Sequence, residues 1–467
     1  MEQSSSALKR LISGFLSLTG GEIISRLLGF FTSLYLARTL GTAGFGQFSV
    51  ALVVVSYGLL AVGPGFDVPG ARAIAERPAS AHMVLACVLR TRVPVALLAY
   101  LLIVVLVTTT AGTALTILVE IQGLAVVIGA WSLQFVFQGL ERFGAISRNR
   151  MLGAALTTLL TLILVHTSAD VRWAAGASVA AAALAVGALW PVLKSAGLEK
   201  EQGGAILHPG EIFTAWAPIT VSYLMIQIYY NSDTIFLQWF RTSEEVGIYS
   251  AAYRPILLLM AIPGLAASAL LPALAGEKNS ERRSRFVQTS ARLLTWLGIG
   301  LCGAGFLSSD TLLSWLFGPA YEPGGPAMKV LFVAAGLAFV NVAVANPLLA
   351  WGKHRQYLLV VTCAAAANLA GNLLWIPKRG MTGAAAATVL AELFVLLIAV
   401  RIQRRDNGIR LARALFVPVT AGLGTFALAS FAGQLAGGAG VVQAVVFLLL
   451  MSVVVLFFEK GQDFHMF

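Results

Sequence analysis

The chain has 467 residues, of which 58% are hydrophobic and 11% charged, with a mean hydropathy of +0.83. Soluble domains carry about 25% charged residues, so this composition excludes a soluble globular protein and predicts an all-α, polytopic membrane protein. The formal net charge of +11 must therefore be read through membrane topology before it is read as affinity for nucleic acid. Cys87, Cys302 and Cys363 fall in apolar spans, so neither a disulfide framework nor a C-x-x-C metal site is expected, and five scattered histidines add no metal site.

Lys9 and Arg10 precede the first apolar run, as in a secretion signal. No small-residue cleavage site follows, and Glu22 and Arg26 interrupt the run, so it reads as a retained first helix. That window, 12 to 37, exceeds the roughly 20 residues needed to cross a bilayer, and Glu22 and Arg26 sit near its middle. An uncompensated charge at that depth costs at least ~3 kcal/mol, so such residues face a polar cavity, a partner charge or a substrate. Their spacing of four also places them on one helix face, where they can neutralise each other.

Further apolar windows follow at 45 to 63, 85 to 107, 114 to 138, 145 to 165, 173 to 193, 212 to 239, 246 to 272, 287 to 307, 326 to 350, 357 to 376, 381 to 401, 414 to 433 and 439 to 458. The window rule thus predicts about 14 transmembrane helices, with both termini on one side. Placing the termini in the cytoplasm puts roughly 24 of the 32 Lys and Arg in inner segments, the asymmetry expected of cytoplasmic loops. The inner set includes Arg90 and Arg92, Arg148 and Arg150, and the Arg-rich stretches around 282 and 404. Only Arg26 and Arg254 are left inside the membrane. Trp173, Trp239, Trp315 and Trp375 fall near outer helix ends and Trp190 and Trp351 near inner ones, as in an aromatic belt.

The chain also repeats itself. Gly46-Gln47-Phe48-Ser49-Val50-Ala51 opens the second helix and Gly247-Ile248-Tyr249-Ser250-Ala251-Ala252 the eighth, each after an Arg-containing outer turn. A weaker echo pairs Ala175-Gly176-Ala177 with Thr382-Gly383-Ala384. Repeats of this kind build two bundles around a central site. The expected organisation is an N-terminal six-helix bundle at 1–194, a cytoplasmic linker at 195–211, a pseudo-symmetric six-helix bundle at 212–402, and a C-terminal helix pair with tail at 403–467. Pro64, Pro255 and Pro263 are expected to kink helices 2 and 8. The G-T-A-G-F-G stretch at 41–46 follows a membrane helix rather than a strand, so it is no nucleotide loop.

Three stretches carry a family resemblance: S-R-L-L-G-F-F-T-S-L-Y-L-A-R-T-L-G-T-A-G-F-G (Ser25 to Gly46), N-S-D-T-I-F-L-Q-W-F-R-T-S-E-E-V-G-I-Y-S-A-A-Y-R (Asn231 to Arg254) and G-M-T-G-A-A-A-A-T-V-L-A-E (Gly380 to Glu392). Together they resemble the polysaccharide biosynthesis (O-antigen flippase) family of the multidrug/oligosaccharidyl-lipid/polysaccharide exporter superfamily. The resemblance implies a non-enzymatic flippase in the bacterial inner membrane, moving an undecaprenyl-pyrophosphate-linked oligosaccharide to the outer leaflet by alternating access. It implies a polyprenyl-pyrophosphate-linked glycan and membrane lipids as partners, polysaccharide polymerase machinery as a further one, no nucleic acid, no cofactor and a monomer. The chain departs from the family's frequent twelve helices in its C-terminal pair, which is closer to the lipid II flippase arrangement.

A pyrophosphate crossing a low-dielectric layer calls for guanidinium groups, which stay charged and form bidentate bonds to phosphate oxygens. Arg26 and Arg254, one from each repeat, are therefore the candidates for lining a shared cavity and binding it. The structural alternative pairs Arg254 with Asp233 and Arg26 with Glu22. Glu22, Asp233, Glu120 and Glu392 are candidates for proton or cation coupling. Asn341, Asn346, Asn368 and Asn372 are candidates for contact with sugar hydroxyls, against a role as interhelical hydrogen-bond glue.

Two rival functions remain. A cation-coupled drug or metabolite exporter of the same superfamily would want an acidic cavity, and two intramembrane arginines against four carboxylates leave that open. A membrane glycan polymerase, ligase or glycosyltransferase would need a substantial extramembrane domain or an acidic metal-binding motif. The outer loops are short and no D-x-D occurs.

Overall fold

The computed structural model describes residues 2–195, 209–435 and 440–459. The first helices are α1 (Glu2–Val62), α2 (Pro64–Glu76), α3 (Ala81–Thr110), α4 (Thr113–Gly129), α5 (Gln134–Gly139), α6 (Phe143–Leu164), α7 (Val171–Ser195) and α8 (Pro209–Phe240). They are followed by α9 (Ser243–Leu259), α10 (Ala261–Gly276), α11 (Ser280–Phe317), α12 (Gly325–Ala350), α13 (His354–Asn407), α14 (Ala412–Leu435) and α15 (Gly440–Glu459). Among the described residues there is no strand, because an unpaired strand edge would strand its polar groups in hydrocarbon while a helix satisfies them internally. Most of the linker expected at 195–211 lies outside the described residues, as does the end of the tail.

Ten helical spans among the described residues are long and apolar enough to cross a membrane, and Gly440–Leu456 is a shorter apolar helix. The chain is a multi-pass membrane protein. The number differs from fourteen for local reasons. The first two windows form one helix broken only at Gly41, where φ is 71°, and windows 357 to 376 and 381 to 401 form one broken only at Gly380, where φ is 54°. A side chain is strained at such φ values, so glycine marks both reversals. The α6 helix stays outside the set because Arg148, Asn149 and Arg150 dilute its first turns.

Two of the three expected proline kinks have counterparts in the helix ends, while Pro255 lies inside α9 with no break. Pro64 begins α2 directly after the break at Gly63. The long window at 246 to 272 is split at Met260 into α9 and α10, three residues before Pro263, whose missing N–H removes a helical bond. Trp173, Trp239 and Trp315 are all exposed, as a belt at the lipid interface requires.

The chain forms two compact units. The first comprises residues 1–238 and 242–247, the second 239–241 and 248–467. In the first, α8 is tied to α1 by polar contacts across an apolar seam. Trp216 Nε1 donates to the Ala61 carbonyl at 2.9 Å, Tyr57 Oη donates to the Gln227 carbonyl at 3.4 Å, and the Gln227 amide donates to Ser56 Oγ. Its core is aromatic and aliphatic, with Phe66, Phe135, Phe137, Ile74, Leu133 and Ile212 fully buried. In the second, α14 and α15 pack on α11 through Trp296, Ala429, Ala444, Phe447 and Met451.

The six-residue repeat has a structural counterpart inside the first unit. A Cβ on Gly46 would collide with the Ser243 carbonyl oxygen and lie 2.9 Å from Gly247 N, while a Cβ on Gly247 would collide with the Thr42 carbonyl oxygen and lie 3.0 Å from Gly46 N. Each glycine meets the carbonyl four residues before the other. The contact is reciprocal, and only residues without a side chain let two membrane helices approach this closely.

Candidate functional site

In the first unit, α1 and α6 run parallel and are stitched along their length. Thr32 Oγ1 bonds Thr158 Oγ1 at 2.8 Å, and Tyr35 Oη donates to the Val165 carbonyl at 2.6 Å. At the other end Gly21 faces Ser147 so closely that a Cβ there would strike the hydroxyl. That approach decides what the next residues can reach.

Glu22 sits one residue beyond the contact and accepts from two arginines. Arg26 Nε donates to Oε1 at 2.8 Å, and Arg150 Nη1, from the second turn of α6, donates to Oε2 at 2.8 Å. With its amide oxygen turned toward α6, Gln134 of α5 accepts from Arg150 Nε at 3.3 Å and Nη2 at 2.8 Å. One carboxylate therefore serves two guanidiniums, and the cluster carries one excess positive charge. The side chains of Arg26 and Arg150 are each 44% exposed and that of Glu22 35%.

The charges of this cluster do not balance. A half-exposed ion pair contributes about 0–1 kcal/mol in water, whereas an uncompensated charge at membrane depth costs at least ~3 kcal/mol. The carboxylate neutralises one guanidinium and leaves the charge of the other uncompensated. Guanidiniums with spare N–H donors suit a phosphate-type anion, which they hold bidentately.

The other expected residues fall elsewhere. Asp233 is buried in α8 of the first unit, its Oδ1 accepting from Thr234 N at 2.8 Å. Glu120 is half-buried on α4, and its carbonyl accepts from Tyr100 Oη at 3.3 Å. Arg254 is half-buried on α9 and belongs to the second unit, whereas Arg26 belongs to the first. In the second unit Asn341 Nδ2 donates to both the carbonyl of Glu392, at 2.9 Å, and its Oε2, at 2.6 Å. Asn372 Nδ2 donates to Asn368 Oδ1 at 2.9 Å one helical turn away. These four side chains are at most 6% exposed, and Asn346 is half-buried.

Two groups escape a reading of the sequence. Residue order places Arg150 in an inner segment, and the only hint of more is R-N-R at the start of an apolar window. It places Arg92 in an inner segment too, but that residue lies within α3 and is 2% exposed. The helix already begins at Ala81, and Arg92 Nη1 reaches Asp67 Oδ1 at 3.1 Å and the Ser132 carbonyl at 3.4 Å. This pair joins α2, α3 and the α4–α5 turn, and a charge so buried persists only when paired.

Comparison with known proteins bears on the fold and the family. A probable flippase, AglR of Haloferax volcanii, is 27% identical over 176 residues, covering 36% of this chain and 37% of that protein. The match thus spans little more than a third of that relative's length. Among solved structures, the lipid II flippase MurJ in an inward closed conformation is similar with a TM-score of 0.70 at 12% identity, covering 95% of this chain and 98% of its own. A point mutant of the Vibrio cholerae MATE transporter VcmN has a TM-score of 0.58 at 15% identity over 86% of this chain and 98% of its own. A MOP superfamily transporter from Pyrococcus furiosus has a TM-score of 0.58 at 14% identity, over 85% and 95%. At such identities the likeness is one of fold. The profile of the family described as "Polysaccharide biosynthesis protein" matches residues 11–276, more than half of the sequence, and the chain belongs to that family.

Proposed function

We propose that the chain is a flippase for a lipid-linked glycan, moving an undecaprenyl-pyrophosphate-type oligosaccharide from the cytoplasmic to the outer leaflet for cell-surface polysaccharide assembly. The observation that carries this reading is the sharing of one carboxylate by Arg26 and Arg150, which leaves guanidinium charge for a phosphate group where hydrocarbon would otherwise exclude it. The AglR relative, a probable flippase, and the fold shared with the lipid II flippase MurJ support a flippase. In this reading Arg254 is a second anion contact, and the protein is a transporter rather than an enzyme. It works as a monomer in the bacterial inner membrane, beside polysaccharide polymerase machinery, with both termini cytoplasmic. Alternating access proceeds between the bundles at 1–194 and 212–402.

Glu22, Asp233, Glu120 and Glu392 are the carboxylates proposed for ion coupling. Sugar contacts by Asn341, Asn368 and Asn372 require those buried amides to come free during the cycle. Replacing Arg26 or Arg254 by Gln is expected to abolish export of the glycan at normal membrane levels. Full export in both variants overturns the reading.

The second reading, a cation-coupled drug or metabolite exporter, is favoured by the fold likeness to MATE transporters. A cationic dye exported at undiminished rate by Arg26→Gln, with no glycan transported by the parent protein, decides for it.

A further inference from the structure

One end of the second unit is built as a surface. Three turns meet there: α10 to α11, α12 to α13, and α13 to α14. Arg283 stacks on the Trp351 ring at 5.3 Å, and Trp351 Nε1 donates to the Leu274 carbonyl at 3.2 Å. Gln356 reaches Asp406 at 2.8 Å, the Lys353 ammonium donates to Asn407 Oδ1, and Gln288 donates to the Arg410 carbonyl at 3.1 Å. Ile409 and Leu411 are buried on either side of Arg410. The turns are held by their own bonds, and none of the outward-pointing arginines is needed to hold them.

The charges on this end do not balance. Its acidic residues are engaged: Glu281 with Arg285 at 3.1 Å, Glu277 with Arg282 at 3.9 Å and Asp406 with Arg405 at 3.9 Å. Arg355, Arg401, Arg404 and Arg410 are exposed, and among the described residues none of them has an ion pair.

Each of these arginines also heads an exposed apolar face. Arg355 is followed at helical spacing by Leu358, Leu359, Ala366, Leu369 and Leu373, all exposed. Arg401 and Arg404 continue the exposed face of Phe394 and Leu397, the latter 66% exposed. Arg410 precedes the exposed Phe416, Val419 and Leu423 of α14. A guanidinium above a lipid-facing stripe is matched by a ligand with an anionic head and two hydrocarbon tails, since basic clusters at span ends attract anionic lipid by charge. Nucleic acid or an acidic protein would use the charge and leave the stripes unexplained.

We propose that this end of the second unit is a binding surface for anionic glycerophospholipids. The phosphodiester is held by Arg355, Arg401, Arg404 or Arg410, and the acyl chains lie along the stripe below. The inference is independent of what the protein transports.

The test uses the purified full chain in mixed micelles containing either dioleoylphosphatidylglycerol or dioleoylphosphatidylcholine. Retained lipid is counted by native mass spectrometry, and inorganic phosphate is added as a competitor. The expected result is retention of phosphatidylglycerol over phosphatidylcholine, weakened on the order of fivefold for each arginine removed in R355Q/R401Q/R404Q/R410Q. The matched lysine variant should keep most of the preference, and millimolar phosphate should not displace the lipid. The inference is overturned by equal retention of the two lipids, by an unchanged preference in the glutamine variant, or by displacement with inorganic phosphate. If the quadruple variant does not fold, R355Q and R410Q singly carry the same test, each expected to weaken retention on the order of fivefold.

Discussion

Glu22, Arg26 and Arg150 in the first unit and Asn341 with Glu392 in the second are both groupings of polar side chains between packed helices, yet they are built in opposite ways. The first has two cations on one anion and is close to half-exposed. The second joins a neutral amide to a carboxylate and to that residue's own carbonyl, deep between α12 and α13. Its neighbourhood continues in kind, with Gln403 donating to the Val344 carbonyl at 2.8 Å. Excess charge with open faces is suited to a ligand, whereas amides that donate across a buried helix pair are suited to packing. The contrast teaches that polarity inside a membrane is informative only together with its charge balance and its exposure.

The sharpest way to break this contrast is to remove the cations. Arg26→Ala with Arg150→Ala should lower glycan export by about 100-fold or more, taking ~1.5–3 kcal/mol for each lost charge-assisted bond. Membrane levels should stay normal, with export read by surface glycan labelling. Retention of export by the double variant would place the cluster with the packing contacts.

A smaller effect is expected from the glycine contact. Gly46→Ala or Gly247→Ala forces a methyl group against a backbone carbonyl, and such overpacking costs about 1–3 kcal/mol. The result should be a lower melting temperature in detergent. Because the contact is reciprocal, the double variant should cost less than the sum of the singles, and strict additivity would argue that the two glycines do not share one contact.

Glu22→Gln sharpens the comparison from the other side. Removing the shared carboxylate frees both arginines, so binding of a pyrophosphate probe should tighten severalfold while stability falls by no more than about 1 kcal/mol. Unchanged binding would mean that the carboxylate does not compete with the anion.

The least effect on transport is expected in the buried seam. Asn341→Leu should lower stability by about 1 kcal/mol, the worth of an interhelical hydrogen bond, and leave export rate per folded molecule nearly unchanged. A collapse of export at normal stability would instead support the sugar-contact role.

Much of the architecture was legible in residue order. Long apolar runs predicted the helices, prolines at 64 and 263 predicted breaks close to those found, and the i, i+4 spacing of Glu22 and Arg26 predicted their pairing. The match between 46–51 and 247–252 begins at Gly46 and Gly247, two residues that do meet. These features depend on neighbours within a few turns, or on composition alone.

Sequence by itself determined that this is a helical membrane protein with charge where lipid should be, because hydropathy and helical periodicity are local properties. Only the tertiary structure decided that Arg150 joins Arg26 on a single carboxylate. That contact spans 128 positions and exists because α1 and α6 run parallel and close at Gly21. It also decided that Asn341 of α12 bonds Glu392 of α13. Which polar groups neutralise one another and which keep charge to offer depends on helix packing, and packing is set by contacts far apart along the chain.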